Sequence, residues 1–120
     1  MSELYKRHKI GIEGEDKAVE YIEKLGYSII ERNFYCKFGE IDIIARDKEE
    51  IVFIEVKTRT GIKYGYPIDA VDKNKKKHIY KSIQYYLINK GIENKFIRID
   101  AIEVYIKKKK YNINHLKQIF

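Results

Sequence analysis

The chain has 120 residues, 44% of them hydrophobic and 36% charged, which fits a single domain spanning 1–120 and excludes a disordered chain. A net charge of +7 favours an anionic partner, since lysines and arginines that neutralise phosphates release counterions. The lone Cys36 excludes an intrachain disulfide, His8, His78 and His115 are too scattered for a zinc site, and runs such as IVFI are too short to cross a bilayer, so a cytoplasmic protein is expected.

In chain order, EDKAVEYIEKLG places Ala18, Val19, Ile22 and Leu25 at helical spacing, opens on acidic residues that suit a helix N-terminus and stops at Gly26. From Tyr27 the pattern becomes short β-branched and aromatic runs: YSIIERNFYC, EIDIIAR and IVFIEVKT, with Asp47 to Glu50 as the polar break between the last two. These predict a three-strand antiparallel meander. Gly61, Gly65 and Pro67 mark a loop, and a second helix is expected from about Asp69 to Asn89, with Val71, Ile79, Ile83, Tyr86 and Leu87 near one face. FIRIDAIEVYI then reads as a fourth strand. Because a strand, crossover helix and strand form a right-handed parallel unit, it should lie beside the strand carrying FIEVKTR. The expected fold is α/β, in the order α-β-β-β-α-β, with a mixed central sheet flanked by helices. Lys107 to Lys110 belong to a terminal turn.

The chemistry concentrates in GEIDIIA (Gly39 to Ala45) and FIEVKTR (Phe53 to Arg59). Residues two apart on a strand share a face, so Glu55 and Lys57 point one way while Ile54 and Val56 point the other. A four-residue turn from Asp47 to Glu50 pairs Arg46 with Ile51, and counting back sets Asp42 opposite Glu55, where Cβ atoms are about 5 Å apart. A one-residue slip would move Asp42 to the other face. Two carboxylates that close on a largely buried strand repel unless a cation sits between them. Hard oxygen ligands suit Mg²⁺ or Mn²⁺, which keep waters and take phosphate oxygens in the remaining positions. Lys57 is then placed to hold an attacking water or to stabilise charge on the transition state. The bland alternative is a cross-strand ion cluster on an exposed sheet face; the near-continuous apolar runs argue instead for a sheet covered on both sides.

Gly11-x-x-Gly14-Glu15-x-x-Ala18, Arg32-Asn33, Gly39 to Ala45, Phe53 to Arg59 and Arg98-Ile99-Asp100 together resemble the motif series of the YraN-like family of small bacterial proteins. That family is similar to the PD-(D/E)XK restriction-endonuclease-like superfamily, with a motif order similar to that of archaeal Holliday-junction resolvases. The resemblance implies Asp42 and Glu55 as metal ligands, Lys57 as the catalytic lysine, Glu15 as an accessory acid near the metal and Glu40 as a supporting residue on the same face as Asp42. Ile99 stands where the family has Phe, and the Gln-x-x-x-Tyr helix motif of RecB-type nucleases is missing, since Gln84 is followed at that spacing by Ile88.

The expected function is therefore metal-dependent hydrolysis of DNA phosphodiester bonds on branched or structured DNA, with a non-catalytic nucleic-acid-binding accessory protein of the same fold as the alternative. Arg59, at the end of its strand, and Lys73, Lys75 and Lys76, at the start of the second helix, are the expected phosphate contacts. Tyr64 and Tyr66 on the Gly-rich loop are candidates to stack on an unpaired base. A resolvase-like role implies a homodimer, because two symmetric cuts need two sites.

Overall fold

The structure, a computed structural model, describes residues 2–60 and 73–120. The elements run α1 (Glu3–Lys24), β1 (Ser28–Cys36), β2 (Gly39–Asp47), β3 (Glu50–Thr60), α2 (Lys73–Asn89), β4 (Phe96–Lys107) and β5 (Lys110–Leu116). The strands form one sheet in the order β1-β2-β3-β4-β5. β1, β2 and β3 are successively antiparallel, β4 is parallel to β3 after the α2 crossover, and β5 returns antiparallel to β4. The meander, the crossover and the mixed sheet stand as expected.

Strand alternation explains why the central runs are continuously apolar. Val52 and Ile54 of β3 join Ile43, Ala45, Ile102 and Val104 under Ala18 and Ile22 of α1. Ile51 and Phe53 turn the other way, with Ile44 and Ile99, to meet Ile79, Ile83 and Tyr86 of α2. The sheet is thus buried on both faces, which is what makes charged side chains on it conspicuous. Leu25, expected on the apolar face of the first helix, is instead its exposed C-cap.

Two elements extend beyond the expected pattern. α1 begins about three turns before Glu15, with the Ser2 hydroxyl capping it by accepting from the Tyr5 N–H at 3.1 Å. β5 forms because Lys108 and Lys109 adopt φ of 47° and 63°, a two-residue turn that folds the chain back on β4. No helix among the described residues is long and apolar enough to cross a membrane.

Candidate active site

The β2–β3 ladder runs from Asp47 opposite Glu50 through Arg46 opposite Ile51 to Ile43 opposite Ile54, the register expected from the turn. There it ends, one step before Asp42 and Glu55. On the other side of β2, the pairing passes from Arg32–Ile43 to Phe34–Ile41, and Asn33 between them has φ 52°. Residues two apart normally share a face, yet Ile41 packs with the α2-side core and Ile43 with the α1-side core. The strand therefore rotates at Asp42. Its carboxylate turns toward β3, where Oδ2 accepts the Val56 N–H at 2.8 Å.

Glu55 lies in a crevice of about 370 Å³ on the α2 side, lined also by Phe38, Gly39, Glu40, Lys75, His78 and Ser82. Lys75 Nζ stands 3.4 Å from Glu55 Oε2. Asp42 opens into a larger cleft of about 940 Å³ between α1 and the sheet, and Glu40 borders both spaces. Burial pushes Asp42 up to about 6, opposed by the Val56 N–H and reinforced by the charges of Glu40 and Glu15. Burial likewise pushes Glu55 up to about 7, the Asp42 charge adding to it and Lys75 opposing it. Both carboxylates are thus desolvated and the Asp42 charge reaches Glu55, although Asp42 lines the α1-side cleft and Glu55 the α2-side crevice.

Glu15 reaches this cleft because α1 approaches β3 closely. A Cβ at Gly14 would lie 1.9 Å from Thr58 Oγ1, so only glycine permits the contact. One oxygen of Glu15 then accepts from Arg32 Nε at 2.9 Å and from Asn33 Nδ2 at 3.1 Å, while Arg32 Nη2 meets Asp16 at 2.7 Å. Asn33 reaches Glu15 from a left-handed backbone conformation, which Asn tolerates better than most residues.

The remaining expected residues are placed unequally. Lys57 is exposed and borders the cleft with Val56 and Thr58. Lys75 joins the site directly through Glu55 rather than standing at its margin. Arg59 turns onto the buried Glu103, at 3.5 Å, with its side chain 16% exposed. Lys76 Nζ lies over the rings of Phe120 and Tyr80. Tyr64 and Tyr66 lie outside the described residues, as does the side chain of Lys73. Among the described residues, no three His, Cys, Asp or Glu side chains gather closely enough to hold an ion by themselves. Arg7, His8 and Tyr35 also line the cleft. Sequence reasoning missed Arg7 and His8 because residues 3–13 carry no apolar stripe to announce a helix, and Tyr35 looked like one more strand aromatic.

Residues 14–104 match the pattern described as Uncharacterised protein family UPF0102. Similar proteins include a UPF0102 protein of Caldicellulosiruptor saccharolyticus, 42% identical over 116 residues that cover 95% of this chain and 98% of the relative. Another, from Clostridium botulinum strain 657, is 51% identical over 119 residues and 97% of each chain.

Proposed function

The chain belongs to the uncharacterised protein family UPF0102, and we propose that it is a metal-dependent nuclease that hydrolyses phosphodiester bonds in branched or otherwise structured DNA. The observation that supports this best is that two desolvated carboxylates, Asp42 and Glu55, follow directly on the last β2–β3 pair, Ile43–Ile54, with the Asp42 charge raising Glu55.

The donor set fits a hard divalent cation. Mg²⁺ or Mn²⁺ takes one or two carboxylates and fills its other positions with water and phosphate oxygens, so a cluster of three acids is not required. Asp42 and Glu55 would hold the ion, which when bound polarises a phosphate and acidifies an attacking water. Lys57 offers an ammonium at the cleft for that water or for charge developing on the phosphate. Glu15, held by Arg32 and Asn33, keeps one carboxylate oxygen out of those two hydrogen bonds and acts as the accessory acid. Lys75 neutralises Glu55 while no cation is bound and is a phosphate contact once one is. Arg59 and Lys76, engaged by Glu103 and by the rings of Phe120 and Tyr80, are weaker candidates for phosphate than Lys75.

The test is incubation with single-stranded, duplex and four-way-junction DNA, with and without Mg²⁺ or Mn²⁺. Cleavage should require the metal and disappear in Asp42→Ala, Glu55→Ala and Lys57→Ala. Cleavage that survives all three substitutions removes the mechanism. Binding without cleavage of any substrate makes the protein a nucleic-acid-binding accessory factor.

A further inference from the structure

Tyr35 stands on β1, an edge strand, paired across the ladder with Glu40. It is 67% exposed and belongs to neither core, yet it forms part of the wall of the same cleft that holds Asp42. On the α1 side the wall is made by Arg7, Gly11 and Glu15, spaced four residues apart and therefore on one helix face. A Cβ at Gly11 would meet nothing within 4 Å, so the cleft is open at that point. Arg7 and Lys57 make no ion pair among the described residues, in contrast to Arg32, which is held by Glu15 and Asp16.

An exposed aromatic ring, two cations with no ion pair among the described residues and an acidic floor thus share about 940 Å³. That volume is at the upper end of the range for small-molecule pockets, about 300–1,000 Å³. That is room for a short stretch of one strand. A paired base is stacked inside its helix and has no free face to offer a ring. From the ring, the cations and the size of the cleft, we infer that it takes an unpaired nucleic-acid strand, one base stacked on Tyr35 and the flanking phosphates against Arg7 and Lys57. This rests on the nucleic-acid reading above and narrows it: on a branched substrate, the segment engaged is the unpaired one.

Fluorescence anisotropy with a labelled oligothymidylate and a blunt duplex of equal length tests this, using the whole protein in Ca²⁺ with intact oligonucleotides confirmed by gel. The single strand should bind at least about tenfold more tightly than the duplex. Tyr35→Ala should weaken single-strand binding roughly 5- to 150-fold, the worth of one stacked base, and Tyr35→Phe should restore it. Gly11→Leu, whose Cβ meets nothing within 4 Å and whose side chain extends from the cleft wall, should abolish binding while the melting temperature is maintained. Equal affinity for duplex and single strand, or a Tyr35→Ala protein that melts normally and binds as well as wild type, overturns the inference. A protein that keeps the single-strand preference but cleaves nothing overturns the nuclease reading alone.

Discussion

Asp42 and Glu55 set the local terms of the site, because each is held in a place where its charged form is disfavoured. Their folded values, about 6 and about 7, lie above the ordinary 3.8 and 4.5, so over this interval the folded protein binds more protons than the unfolded chain. Their contribution to stability is therefore complete below about pH 4 and is lost as pH rises through about 7, each tenfold difference in proton affinity being worth about 1.4 kcal/mol. In metal-free buffer the melting temperature should fall between about pH 5 and about pH 8. Asp42→Asn and Glu55→Gln should each flatten that fall and melt higher than wild type at the alkaline end. Adding Mg²⁺ or Mn²⁺ should recover the lost stability in wild type and much less of it in Glu55→Gln, since a ligand that binds only the folded state raises its stability. Thermal melts across the pH range with and without metal check this. Wild type and both variants sharing one flat profile would mean that the pair carries no electrostatic cost. Such a cost at a site is the expected form of a stability–activity trade-off.

At the scale of elements, the decisive contact is between α1 and β3. Alanine at Gly14 would gain about 1 kcal/mol of helix propensity. It would also place a Cβ 1.9 Å from Thr58 Oγ1 and 2.9 Å from Thr58 Cβ and Cγ2, a clash that side-chain rotation alone does not relieve. Overpacking of this kind costs about 1–3 kcal/mol. Urea unfolding should therefore show Gly14→Ala destabilised and Gly11→Ala, in open space, unchanged or stabilised by up to about 1 kcal/mol. Gly14→Ala should also lower cleavage, because the displaced helix carries Glu15 away from Arg32 and Asn33. The β4–β5 turn makes a second case. Lys108 and Lys109 both sit at positive φ, where Asn-Gly is the preferred pair, so Lys108→Asn with Lys109→Gly should raise the melting temperature by a few degrees. These elements also mark what the sequence could reveal. The β2–β3 register was legible because a polar tetrapeptide separates two apolar runs, so the turn fixes every pair behind it. The rotation at Asp42 was not, since strict alternation gives no sign that Ile41 and Ile43 face opposite cores. The first turns of α1 lack an apolar stripe, and residues 2–9 are indeed exposed where described. β5, KYNINHL, is an edge strand whose polar alternation and lysine turn resemble a loop in composition.

Over the whole molecule, the main polar anchor comes close to the site along the sheet, since Asp100 pairs with Ile54, the residue before Glu55. Asp100, fully buried, accepts from Arg98 Nε at 2.9 Å and Nη2 at 3.1 Å, from His115 Nε2 at 2.7 Å and from the Gln118 N–H at 3.1 Å. Arg98 continues to Tyr27, Asp47 and Glu50. One carboxylate thereby ties β4 to β5, to the C-terminal segment, to the β2–β3 turn and to the end of α1. Burial pushes Asp100 up, but the hydrogen bonds from His115, Arg98 and Gln118 outweigh it and hold the group below the ordinary carboxylate range. Its contribution is present above the unfolded value and lost as pH falls, opposite in sign to that of Asp42 and Glu55, so metal-free stability should peak in mild acid. Neighbours on a strand point to opposite faces, and Asp100 engages Arg98, His115 and the Gln118 N–H rather than the crevice that Glu55 lines. Asp100→Ala leaves Arg98 buried without its closest counter-charge, a change that costs about 3–5 kcal/mol. It should therefore lower the urea midpoint strongly while cleavage per folded molecule, measured well below the transition, stays near wild type. Glu55→Gln should do the reverse, abolishing cleavage in a protein at least as stable as wild type at alkaline pH. If Asp100→Ala instead loses cleavage while its midpoint is unchanged, the anchor belongs to the site.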